Sequence, residues 1–204
     1  MKVFPICYFP PIHWCAAAIH EPVIALEVCQ HYRKQQYTSR MHIRVANRVL
    51  PLTLPVERRG AKVPIKDKRI TFQDNWPHQH WASLVSAYRN SPYFEYYEEE
   101  LRPFFQEPEA QLVPHLMNIT TKLWELMQLS IEFRITEDFL PTDAYTGDFR
   151  QVFDASRRSY PEAFIAEPYM QVFEPFESGL SILDVLFNLG PETPQYLRRV
   201  WKMG

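Results

Sequence analysis

With 204 residues, 46% of them hydrophobic and 23% charged, the chain is long enough to bury a core without disulfides or structural metal. A formal net charge of -2 supplies no general attraction to nucleic acid or to an anionic membrane surface. No apolar run reaches the roughly 20 residues of a membrane-spanning helix, and no basic-then-apolar leader opens the chain. A single cytoplasmic domain over residues 1–204 is therefore expected, with no membrane insertion and no nucleic-acid partner. The three cysteines, Cys7, Cys15 and Cys29, lack metal-type spacing and read as free thiols in a reducing compartment. Eighteen prolines against 5 glycines imply stiff connections and argue against a glycine-rich phosphate loop.

In chain order, residues 2–8 form a short apolar strand bounded by Pro10-Pro11. Residues 12–20 read as a helix begun after Pro11 and stopped at Pro22, and residues 23–28 as a second apolar strand. Strand, helix and strand make a βαβ unit, which requires parallel strands. Residues 29–40 are polar and aromatic without a period. Residues 41–45 and 49–56 are strand candidates around an Asn47-Arg48 turn, and Pro51 and Pro55 confine the second to an edge. Residues 63–72 carry a similar strand signal. A helix capped by Asp74 or Asn75 follows from Trp76, with Trp81, Leu84, Val85 and Tyr88 on one face. An acidic helix over 93–104 comes next, then a long one over 109–129 with Leu112, Leu116, Ile119 and Leu123 in its stripe. Residues 131–135 return as a strand, and 137–179 read as an ordered, aromatic-rich loop. Ser181 caps a helix ended by Gly190-Pro191, and a last helix covers 192–201. The expected class is α/β, with a Rossmann-like parallel or mixed sheet from the N-terminal third and helices packed around it. An α+β domain with a mixed sheet is the alternative.

The chain has no GxGxxG, GxxxxGK[ST], GxSxG or HExxH, and no cofactor or metal is expected. His78 and His80 stand two apart, so on a helix they cannot chelate one ion. His80 is the better candidate for proton transfer or hydrogen bonding, against the plainer role of a helix-start histidine. Glu27 interrupts an apolar strand just before its carboxyl end, where parallel sheets bind ligands. It either faces a cleft beside Gln30, Tyr32 and Lys34 or lies on the exposed side of an edge strand. Lys34, Arg40, Arg44 and Arg48 form a basic stretch suited to phosphate or carboxylate, or simply a solvated face. Asp184 and Asn188, four apart, read first as exposed helix polar residues and second as a shared hydrogen-bond network.

Tyr8-Phe-Pro-Pro11, the strand ending in an acid, and Gln30-x-Tyr32-x-Lys34-x-Gln36-Tyr37-x-x-Arg40 together resemble the WbqC-like family. Pro51-Leu-Thr-Leu-Pro-Val56, Trp76-x-x-x-His80-Trp81, the Tyr88 to Phe94 segment and residues 180–188 continue the resemblance over most of the chain. Thr38-Ser39 departs from the Arg-Asn that the family commonly carries before Arg40, and Glu27 stands where an acidic pair is common. The resemblance implies a bacterial protein linked to surface-polysaccharide biosynthesis. That context together with the cluster of residues at the strand end suggests a transferase for a small-molecule substrate, a nucleotide-activated or otherwise anionic sugar precursor. Lys34 and Arg40 would then hold phosphate, Glu27 and His80 would be catalytic, and Tyr8, Gln30, Tyr32 and Trp76 would contact the ligand. The alternative is a non-enzymatic module that recognises a partner protein or saccharide through the 137–179 loops. No pattern in the sequence fixes an oligomeric state.

Overall fold

A computed structural model describes residues 1–57, 62–155 and 160–202. The opening βαβ unit forms as its apolar runs dictate: β1 (Lys2–Pro5), α1 (Ile12–Ala18) and β2 (Val23–Glu27), with β1 and β2 parallel and Pro5 opposite Glu27. Every residue of α1 is buried. The Cys15-Ala-Ala-Ala18 run keeps that helix slim, while Trp14 reaches into the core and donates its indole N–H to the Pro5 carbonyl.

The main sheet is four-stranded and parallel, in the order β5-β2-β1-β6, where β5 is Glu132–Ile135 and β6 is Gly147–Asp148. The class is α/β. β2 is an inner strand, which rules out placing Glu27 on an exposed edge. The chain leaves β1 toward β2 and later returns to the other side of β1 to add β6, so the strand order reverses between β1 and β6. Such a reversal opens a crevice at the carboxyl ends of the strands.

The hairpin of β3 (Arg40–Val45) and β4 (Arg48–Thr53) forms a separate antiparallel sheet, with Arg40 opposite Thr53 and His42 opposite Pro51. Both strands are edges, so Pro51 costs no interior ladder bond. The strand expected over 63–72 does not form. Pro64 has no N–H to donate, and the segment makes one 3-10 turn, Ile65–Asp67, tied to the loop after β2 by Ile65 N–H to Gln30 O and Lys66 N–H to Val28 O.

α2 (Trp76–Tyr88) begins where expected, but neither Asp74 nor Asn75 caps it with a side-chain bond. The acidic helix divides at Arg102-Pro103 into α3 (Phe94–Leu101) and α4 (Pro103–Gln106). The long helix α5 (Leu112–Leu126) starts later than its periodicity suggests, because Gln111 is held extended by a bridge to Arg69. α6 (Ile182–Leu189) has its expected ends: Ser181 accepts from Leu183 N–H, and Gly190 takes the positive φ of 53° that closes the helix. α7 (Thr193–Arg199) packs on α1 and α6. Aromatic rings join the layers: Phe4 of β1 lies edge-on to Trp14 of α1, Trp14 to Trp124 of α5, and Trp124 to Phe133 of β5.

Candidate functional site

The loop leaving β1 carries Tyr8, whose backbone N–H donates to Tyr37 O. Phe9 follows in the left-handed region, at φ 43°, a costly conformation for a bulky residue that turns the chain sharply into Pro10-Pro11. Buried beneath α2, the Tyr8 hydroxyl lies 3.0 Å from His80 Nδ1. Trp76, one turn earlier on α2, meets the His80 ring edge-on at 5.2 Å and donates its indole N–H to Thr71 O. Burial lowers the His80 imidazole to about 4 and pushes the Tyr8 phenol well up, so both groups are neutral near pH 7. His78, by contrast, is exposed.

His80 and Trp76 form one side of a hollow of about 520 Å³ whose other walls are Thr53, Pro55, Gln73, Asp74, Asn75 and Gln79. Thr53, Pro55, Gln73 and Asp74 also wall a larger hollow of about 1210 Å³ that receives Tyr32, Lys34, Arg40 and Lys68. The two hollows adjoin along this wall, and together they make the cleft bordered by the hairpin, the 29–40 loop and the start of α2. Arg40 is positioned by its Nε–H bond to Thr53 Oγ1. Tyr32 is held by a 2.8 Å hydroxyl contact with Ser39 Oγ, and Lys68 Nζ lies 5.5 Å from the Tyr32 ring centre. Neither Lys34 nor Arg40 has a carboxylate partner among the described residues. These two cations, an aromatic ring and several hydroxyls can together hold an anionic, polyhydroxylated molecule.

Glu27 and Gln30 do not join this cleft. Glu27 is 0% exposed and all its bonds are made. Its Oε1 accepts from the N–H groups of Cys29 and Gln30 and from Thr136 Oγ1, and its Oε2 accepts from Arg150 Nη1 at 3.2 Å. Arg150 also donates twice to Asp148 and once to the Leu140 carbonyl, beneath the rings of Phe139 and Tyr145. The Arg150 hydrogen bonds hold the Asp148 carboxyl below its usual range. Gln30 lines two hollows beside this cluster, one of about 80 Å³ with Pro5, His31, Gln36 and Asp154, and one of about 470 Å³ with Phe139, Thr142 and Asp148. No sequence pattern pointed to Arg150, which lies 123 residues from Glu27.

The basic stretch also divides. Arg44 is buried and donates to the Glu174 carbonyl, whereas Arg48 is exposed at the hairpin turn. Asp184 and Asn188 are not exposed helix residues. Asp184 is 1% exposed and accepts from the hydroxyls of Tyr88 and Tyr169 and from the Gln171 amide, while Asn188 donates to the Asp184 carbonyl. Among the described residues, no three His, Cys, Asp or Glu side chains gather as metal ligands, and no helix is long and apolar enough to cross a membrane.

A model of the WbqC-like protein family matches residues 7–158 and 150–196. The chain belongs to the WbqC-like protein family. It is 26% identical over 194 residues to the uncharacterized protein Rv1507c of Mycobacterium tuberculosis, across 82% of this chain and 84% of that protein. No solved structure matches it. Thr38 and Ser39 are both buried. Ser39 contributes its hydroxyl to Tyr32 and its carbonyl to Leu54 N–H. Ser39 therefore holds Tyr32, which lines the cleft, while Thr38 lines the separate hollow of about 80 Å³.

Proposed function

We propose that the protein is a transferase whose substrate is a nucleotide-activated or otherwise anionic sugar precursor, acting in the bacterial cytoplasm during surface-polysaccharide biosynthesis. The supporting observation is the cleft that gathers Tyr32, Lys34 and Arg40 with Trp76 and His80. Lys34 and Arg40 have no acidic partner among the described residues, so a phosphate entering between them displaces no ion pair there. Lys34 and Arg40 hold the phosphate, Tyr32 and Trp76 border a sugar or base, and Thr53 and Thr71 offer hydroxyls. Glu27, enclosed and fully bonded, positions Arg150 instead of meeting substrate. Besides its basic groups and Tyr32, the ionisable residues lining the cleft are Glu57, Asp74 and His80.

Calorimetry with a panel of nucleotide sugars and nucleotides tests the proposal. The native protein releases heat with at least one of them, and Arg40→Ala weakens that binding about tenfold. Absence of heat across the panel, together with an Arg40→Ala strain indistinguishable from the parent, removes the reading. A second reading, recognition of a partner protein, is favoured by Met170 at 86% and Ile165 at 44% exposure in the aromatic-rich loop. Phe139 belongs less to that surface, since its ring covers the Arg150 guanidinium at 4.5 Å.

A further inference from the structure

The Tyr8–His80 contact has a direction that heavy-atom positions alone do not give. Tyr8 is 0% exposed, and among the described residues its hydroxyl has one partner, His80 Nδ1 at 3.0 Å. If Nδ1–H donated to the hydroxyl oxygen, the phenol's own proton would point into the core without an acceptor. An unsatisfied buried donor of that kind costs about 1–3 kcal/mol. The bond is therefore made by the phenol donating to a bare Nδ1, which places the imidazole proton on Nε2. Nε2 has no hydrogen-bond partner among the described residues and is not one of the sealed, unpartnered side-chain atoms. His80 lines the cleft, so Nε2–H opens onto it.

We propose that Tyr8 fixes His80 as a neutral Nε2–H donor that meets an oxygen of the bound anionic precursor. This rests on the transferase reading and gives its histidine a single defined role. His80 donates a hydrogen bond to a phosphate or sugar oxygen and does not collect a proton there. The surroundings reinforce the assignment. Trp76 crosses the ring from the same helix, His115 of α5 stacks 6.2 Å from the Tyr8 ring, and Asp74 lies at the cleft wall. Burial alone accounts for the low proton affinity of His80. The carboxylates that line the cleft are Asp74 and Glu57. The Tyr8-Phe-Pro-Pro11 motif gains a physical purpose, since the turn at Phe9 sets the phenol under α2.

The deciding experiment is a long-range proton–nitrogen correlation spectrum of the full chain labelled with 15N-histidine. Between pH 6 and 8 the native protein shows His80 in one tautomer, with protonated Nε2 and bare Nδ1, and Tyr8→Phe gives a mixture of both. A native ring protonated at Nδ1 overturns the assignment without any variant, so a poorly folded Tyr8→Phe does not shield it. Titration with inorganic pyrophosphate then moves the His80 Nε2 resonance, and Arg40→Ala shifts that titration to about tenfold higher pyrophosphate. If pyrophosphate releases heat while His80 stays still, the donor role falls and the anion site stands. If the tautomer is as stated but neither heat nor movement appears, the anion site falls and takes the donor role with it.

Discussion

Two groups of charged side chains lie near the carboxyl ends of this sheet and its hairpin, and they are organised in opposite ways. Around β2 and β6, Glu27, Arg150 and Asp148 are enclosed and matched to one another, with even the backbone N–H groups of Cys29 and Gln30 drawn in. Around the hairpin, Lys34 and Arg40 have no acidic partner among the described residues and look into open space. A buried ion that loses its partner is heavily penalised, whereas an exposed one contributes little to stability. The enclosed cluster therefore serves the fold and the open one is available to a ligand. Sequence alone presents both as charged residues near strand ends.

The largest effect that would sharpen this contrast is that of acid. Burial lowers His13 to about 3 and His80 and His115 to about 4. An unfolded chain protonates these rings near the usual 6.5, so it binds more protons than the folded chain between pH 4 and 6.5. Stability is fully present above that window and falls as pH drops through it. Three such rings give about 4 kcal/mol per pH unit at the steepest. Asp184, raised by burial, opposes them with one proton. Urea unfolding at stepped pH reads the slope, and a flat profile would contradict the burial of these rings.

Next in size, Arg150→Ala leaves the enclosed Glu27 without its counter-ion and lowers stability by about 3–5 kcal/mol in urea melts. A loss below about 1 kcal/mol would place the cluster with ordinary surface pairs. Tyr169→Phe removes one hydroxyl from the enclosed Asp184 and costs about 1–2 kcal/mol by the same measurement. In the open cleft the ranking inverts. Arg40→Ala and Lys34→Ala leave unfolding within about 0.5 kcal/mol of native. Arg40→Ala weakens binding of a nucleotide sugar about tenfold, or about 1.4 kcal/mol. Lys34, further exposed, contributes a smaller loss that high salt erases.

The opening βαβ unit was legible in the sequence because its two apolar runs are short, bounded by proline and joined by a helix too small for another arrangement. The hairpin was legible from its turn and its edge prolines. Other features depended on partners that sequence proximity conceals. β6 is two residues inside a loop and becomes a strand only by pairing with Lys2 and Val3. Asp184 and Asn188 have the spacing of solvated helix residues, and the groups that enclose Asp184, Tyr169 and Gln171, come from a loop without periodicity. Of the residues singled out from the sequence, Tyr32, Lys34 and Arg40 line one hollow and Trp76 and His80 the adjoining one, with Tyr8 beneath. Glu27 belongs elsewhere because Thr136 and Arg150, both distant in sequence, complete its shell.

The same long reach bears on how the chain emerges from the ribosome. β2 is made early, yet its outer neighbour is β5, and Val28 N–H waits for Thr136 Oγ1, 108 residues downstream. Closing such a span comes late, because the entropy of a long loop must be overcome before its contacts contribute. During synthesis the nascent chain therefore carries β2 with one side open and Glu27 without its arginine until residue 150 is clear of the exit tunnel. The N-terminal third, which holds half the cleft, acquires its final shape only after most of the protein has been translated.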